Sequence, residues 1–181
     1  MMDLAEAYRN YKDKIVYRWV DYTLSTYQAS SFFKKERDKF ANPVGGNIRE
    51  ALKKLFSLLV KGAGTEEMIP PLEQILKIRS IQEFSPSQAV APLNAVKHIT
   101  RDILAADKER RHLISELYDF EFAVDLAILT AFDIYMQCRE RLYQTRIQEI
   151  KTGTHILTDS TCPSALQKNK VQDSLPKVES I

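Results

Sequence analysis

Tyr8, Tyr11, Ile15, Trp19 and Tyr22 recur at steps of three and four, which lays one apolar stripe along a first amphipathic helix. Phe32 and Phe33 follow a Ser-rich stretch, and residues 34–39 form a solvated charged run. Asn42 reads as an N-cap and Pro43 suits the first helical position, where its missing N–H costs nothing. The helix so opened carries Ile48, Leu52, Leu55 and Leu59 on one face, and residues 61–64 break it. The Pro70-Pro71 pair is expected before a third helix or in its first turn, with Leu72, Ile75, Leu76 and Ile78 following.

Ser85-Pro86-Ser87-Gln88 reads as a capping box: Ser85 caps, Pro86 takes the first helical position, and the Gln88 side chain reaches back. Pro92 predicts a kink or an early break in that helix, which continues through Leu93, Val96, Thr100 and Ile103. Residues 108–151 then lack both proline and glycine. One stripe there runs from Leu113 through Phe120, Val124, Ala127, Ala131 and Tyr135 to Cys138 and Leu142. A second (Ile114, Tyr118, Phe122, Leu126, Leu129, Phe132, Met136) flanks it, so the middle of this segment is apolar nearly all round, as in a helix central to a bundle. Unbroken, it would measure about 65 Å at 1.5 Å per residue, with a break near Asp119 as the alternative. Its last turns narrow to Tyr143, Ile147 and Ile150 among alternating charges, a coiled-coil-like pattern for pairing with a second copy. The expected fold is all-α, with a helical domain over residues 1–151 and a polar, disordered tail over 152–181.

Composition narrows the function classes. The 181 residues suffice for one domain with a real core, and 44% apolar with 28% charged residues is ordinary for a globular chain. A formal charge of +2 gives no footprint for nucleic acid. Cys138 and Cys162 read as free thiols in a reducing compartment. Residues 126–132, the most apolar run, are far short of the roughly 20 needed to span a bilayer, and no signal peptide is seen. A cytoplasmic location is expected.

Candidate chemistry is sparse. Glu109 and His112 have the Glu-x-x-His spacing of a di-iron bundle, but such a site needs two of these motifs, so a solvated helix start is the better reading and no metal is expected. Glu121, Asp125 and Asp133 fall within the apolar helix and call for pairing with Arg79 or Arg101, or for exposure. Val44-Gly45-Gly46 lacks the Lys-Ser/Thr of a phosphate loop, and no Ser-His-Asp or Cys-His arrangement can be drawn. An enzyme is not expected.

The runs Phe40-Ala41-Asn42-Pro43-Val44-Gly45 and Arg79-Ser80-Ile81-Gln82-Glu83-Phe84-Ser85-Pro86-Ser87-Gln88-Ala89 resemble the signature of the N-terminal domains of RsbRD-type RsbT co-antagonists, over roughly residues 4–150. The resemblance implies a non-haem, globin-like helical bundle with a long C-terminal helix, like the RsbR sensor domains of the stressosome. Those dimerise through helices and signal down a linker helix into a STAS domain, which carries phosphorylated threonines and docks the RsbT kinase. Phe40, Asn42, Pro43 and Gly45, with Arg79, Gln82, Phe84, Ser87 and Gln88, are the matching positions. Arg79 and Gln82 are the polar contacts expected in a cleft.

A globin-like fold raises the question of haem, but His98 lies between Lys97 and Arg101 on a polar stretch, and no cofactor is expected. The chain ends about thirty residues after the linker-like helix, so no STAS domain or phosphoacceptor is carried over. What remains is a stand-alone sensory module, dimeric, with a stressosome-type protein partner. It could hold a small apolar ligand such as a fatty acid, as some globin-like regulators do. A ligand-free interaction module or accessory subunit is the alternative. The residues to watch are Trp19, Tyr22, Phe40, Arg79, Gln82, Phe84 and Phe122 for a ligand, and Tyr143, Ile147 and Ile150 for dimerisation.

Overall fold

Local signals place both ends of one helix and the start of another in the computed structural model, which describes residues 3–152. Helix α1 (Leu4–Ser25) buries Tyr8, Ile15 and Trp19 as its stripe predicts. The buried side then turns to Val20, Thr23 and Leu24, leaving Tyr22 49% exposed. A short α2 (Ser30–Lys35) follows. Helix α3 (Pro43–Lys61) starts with Asn42 as N-cap and Pro43 in its first turn. It ends where Gly62 adopts φ 69°, a left-handed conformation that glycine enters without steric cost.

Helix α4 (Thr65–Ser80) corrects the expectation for the proline pair. Pro70 and Pro71 lie inside it, beyond the first turn. Their missing N–H groups leave the Glu66 and Glu67 carbonyls without intrahelical partners. Both glutamates are exposed, so water can serve those oxygens, and Pro71 and Met68 are free to face the core. Helix α5 (Pro86–Ala105) opens with the capping box in full, Ser85 Oγ accepting from the Gln88 N–H and Gln88 Oε1 from the Ser85 N–H. It runs through Pro92 without ending there.

The long apolar segment is not one helix from residue 108. A 3-10 helix (Arg111–Glu116) precedes α6 (Tyr118–Thr152), so the interruption falls at Leu117, beside the anticipated Asp119. Glu109 lies in the preceding turn and His112 in the 3-10 helix, so their spacing does not put them on one α-helical face. Nor is α6 buried all round. Phe120, Val124, Ala127, Ala131 and Tyr135 are buried, while Tyr118, Phe122, Leu129, Phe132 and Met136 are exposed.

Two compact units divide the chain, Met1–Arg139 and Glu140–Ile181. In the first, α1 packs on α3 and α5, and α3 on α4. Trp19, Ile48, Leu52, Leu72 and Val96 are sealed from solvent at the centre. Phe120 reaches this core in a ring cluster with Tyr8 and Phe56, at centroid distances of 5.3 and 6.1 Å. In the second unit, residues 140–152 are helical, with an Arg146–Glu149 ion pair at 3.3 Å and with Tyr143, Ile147 and Ile150 exposed. The described residues are all-α, without strands, and the long C-terminal helix is present. The expected tail, Cys162 included, lies outside the described residues apart from Thr152.

Candidate functional site

Proline inside a helix leaves a carbonyl unbonded four residues earlier. For Pro92 that carbonyl is Gln88 O, and the structure supplies a donor: Arg79 Nη2 binds it at 3.0 Å. Arg79 stands in the last turn of α4 and is 0% exposed. Its Nη1 donates to Thr26 Oγ1 at 3.1 Å. The guanidinium lies 4.1 Å from the Phe84 ring centroid and 5.0 Å from that of Tyr27. No carboxylate pairs with it among the described residues, so aromatic faces, a hydroxyl and a carbonyl offset the buried cation in part, helped by the carbonyl end of α4, while its Nε has no hydrogen-bond partner. Pro92 is used on its other side as well, its own carbonyl accepting from Trp19 Nε1 at 2.8 Å. Tyr135 Oη donates to the Phe84 carbonyl, and Arg139 Nη1 to the Ser80 carbonyl at 3.1 Å. The second signature run is thus the joint between α4, α5 and α6. Gln82 joins through its backbone, its carbonyl accepting from the Phe84 N–H at 2.9 Å.

The first signature run is a second joint. Buried Asn42 accepts from the Gly45 N–H at 2.8 Å, and its amide donates to the carbonyls of Phe33 (3.0 Å) and Glu36 (2.8 Å). Arg49 Nη2 shares the Phe33 carbonyl at 2.6 Å and reaches that of Lys34 at 3.2 Å. The open carbonyl end of α2 is therefore held by two side chains on α3 or its cap. Gly45 must lack a side chain here: a Cβ would stand 2.4 Å from Asn42 Nδ2 and 2.9 Å from Arg49 Nη1. Tyr27 links the two joints, its ring 5.5 Å from Phe33 and 5.7 Å from Phe84. Burial raises the Tyr27 phenol above the usual tyrosine range, against the lowering effect of Arg79.

Of the residues anticipated for a ligand, Trp19, Arg79 and Phe84 belong to this packed interior, with Gln82 half-buried beside it. Phe40 is 95% exposed and Phe122 53% exposed, and neither they, Tyr22 nor Trp19 line the cleft among α1, α2 and α3. That cleft, of about 630 Å³, has Val16, Val20 and Leu24 among its apolar lining. Lys34, Lys35, Arg37, Arg49 and Lys53 stand around it with Asp13 and Asp21. Sequence reasoning passed over Arg49 and Tyr27. The only available signal was their spacing from the two runs, and it does not reveal that one carbonyl or one ring sits between them.

The carboxylates of α6 resolve simply. Glu121 pairs with Arg101 and Asp125 with Lys97, while Asp133 is exposed. The Arg101 hydrogen bond holds Glu121 below the usual carboxylate range, against the effect of partial burial. His98 is exposed on α5. Among the described residues no three His, Cys, Asp or Glu side chains gather as metal ligands, and no helix is long and apolar enough to cross a membrane.

No curated protein and no solved structure matches the chain. A family model does, over residues 13–150, which runs from within α1 to within α6 and takes in both signature runs and the residues that join them. The chain therefore belongs to the RsbT co-antagonist protein rsbRD N-terminal domain family, and it is a stressosome-related signalling domain.

Proposed function

We propose that the chain is a non-enzymatic sensory domain of bacterial signal transduction, globin-like without haem and cytoplasmic. It pairs with a second copy and engages a stressosome-type protein partner. A small apolar ligand, a fatty acid being one candidate, or the partner itself biases the packing around α6, and the end of that helix reports the change. The supporting observation is the exposure of large apolar side chains on α6. Tyr143, Ile147 and Ile150 are exposed in the second unit, and Phe122, Leu129 and Met136, each seven residues from the next, in the first. A seven-residue repeat of exposed apolar side chains is what one helix presents to another in a coiled coil. The same faces serve the alternative reading of a docking module without a small ligand.

Analytical ultracentrifugation tests the pairing. The wild-type chain is expected to sediment as a dimer, and the Tyr143→Gln/Ile147→Gln/Ile150→Gln variant as a folded monomer. A monomeric wild type, or a dimer indifferent to the three substitutions, refutes pairing through these turns.

A further inference from the structure

The cleft walled by α1, α2 and α3 is chemically two-sided. Its apolar side comes from consecutive turns of α1, where Val16, Val20 and Leu24 are spaced four apart. Its polar side carries five cationic side chains against two carboxylates. Lys34 is already neutralised by Asp21 at 2.9 Å. Lys35, Arg37 and Lys53 make no ion pair among the described residues, and all three are exposed. Arg49 is held by backbone carbonyls alone, and its Nη1 is buried without a hydrogen-bond partner. Arg49 lines the cleft, and although Glu36 lends it some compensating charge, a guanidinium nitrogen without a hydrogen-bond partner is costly, with a carboxylate or phosphate oxygen as its natural complement. Burial first, and then the charge of Arg37, pull the Arg49 guanidinium below its usual range, against the raising effect of Glu36. At about 630 Å³ the space falls within the range of small-molecule sites.

We propose that this cleft binds an amphipathic anion, its apolar body along Val16, Val20 and Leu24 and its carboxylate or phosphate head among Arg49, Arg37, Lys35 and Lys53. This deepens the ligand-responsive reading and rests on it for its signalling role, though not for binding itself. Arg49 gives the site a consequence. The same guanidinium clamps the end of α2 through the Phe33 and Lys34 carbonyls, and Phe33 contacts Tyr27, which contacts Phe84 and Arg79. An anion drawn to Arg49 acts on the first member of that chain of contacts.

Isothermal titration calorimetry of the full chain with decanoate, below its micelle-forming concentration, tests the site. Decyl phosphate, decanol and inorganic phosphate serve as comparison ligands. Decanoate or decyl phosphate should bind, and whichever is tighter identifies the head group. Decanol and inorganic phosphate should each bind at least about tenfold more weakly, since each lacks one half of the recognition. The Lys35→Gln/Arg37→Gln/Lys53→Gln variant removes only exposed, unpaired charges. It should keep its melting temperature and lose about tenfold in affinity, with the loss shrinking at high salt. Methyl resonances of Val16, Val20 and Leu24 should shift on titration. Absence of binding by either anion, equal binding of decanol, or indifference to the triple variant overturns the proposal. Binding that leaves sedimentation of the dimer unchanged upholds the site and counts against the ligand-responsive reading instead.

Discussion

Arg79 and Arg49 do the same elementary task in two different surroundings. Each donates to carbonyls that its neighbouring helix leaves open, Gln88 O beneath Pro92 in one case and the end of α2 in the other. Arg79 is sealed between Phe84 and Tyr27, and every element around it belongs to the core. Arg49, on α3, stands at an open cleft beside other cations, and the helix it holds, α2, is six residues long and buries none of its own. A buried guanidinium whose acceptors have no other donor is a fixed joint. One whose acceptors can turn to water is a joint that can open.

That contrast predicts unequal costs. Arg79→Ala strands the Gln88 carbonyl and Thr26 hydroxyl and removes two ring contacts, so urea unfolding should show a loss of about 3 kcal/mol. Asn42→Ala removes a cap and two further hydrogen bonds, for about 2 kcal/mol. Asn42→Asp should cost about as much, because its carboxylate keeps the Gly45 contact but cannot donate to Phe33 and Glu36. A harmless Asn42→Asp would mean that those two donations carry no weight. Arg49→Ala should cost only about 1 kcal/mol, with faster amide exchange confined to α2 and residues 36–41. Equal losses at Arg49 and Arg79 would erase the distinction between them.

The smallest expected effect is in acid. Glu121 has a folded pKa below its unfolded value, chiefly through the Arg101 hydrogen bond. Its contribution to stability is therefore present above the unfolded value of about 4.3 and lost as pH falls through the folded one. Glu121→Gln should flatten that limb slightly, because Arg101 is exposed and solvent screens the pair. A pH profile identical to wild type would show that the pair contributes nothing measurable.

What could be read along the chain was whatever is decided within a few residues. Asn42 with Gly45, and Ser85 with Gln88, are caps closed over three positions, and both stand as their residue types imply. Gly62 stops α3 for an equally local reason, and the all-α class follows from periodicity. Pro70 and Pro71 sit deeper in α4 than expected, because proline's cost depends on who serves the freed carbonyl, and α5 continues past Pro92 for the same reason. For Gln88 that donor is Arg79, nine residues away in sequence and on another helix.

Exposure was the other blind spot. Phe40, Tyr22 and Phe122 are aromatic, and an aromatic side chain carries the same sequence signal whether it faces the core or solvent. The interruption at Leu117, by contrast, falls beside the break anticipated near Asp119, although no proline or glycine marks it. Local chemistry thus determined where α3 begins and ends and where α5 begins. Only the tertiary structure decided that Arg79 is buried without an acid, that Tyr27 stands between the two runs, and that the cleft lies among α1, α2 and α3. Those outcomes depend on contacts between residues 9 to 57 positions apart, whose geometry is set by packing and not by any nearest neighbour.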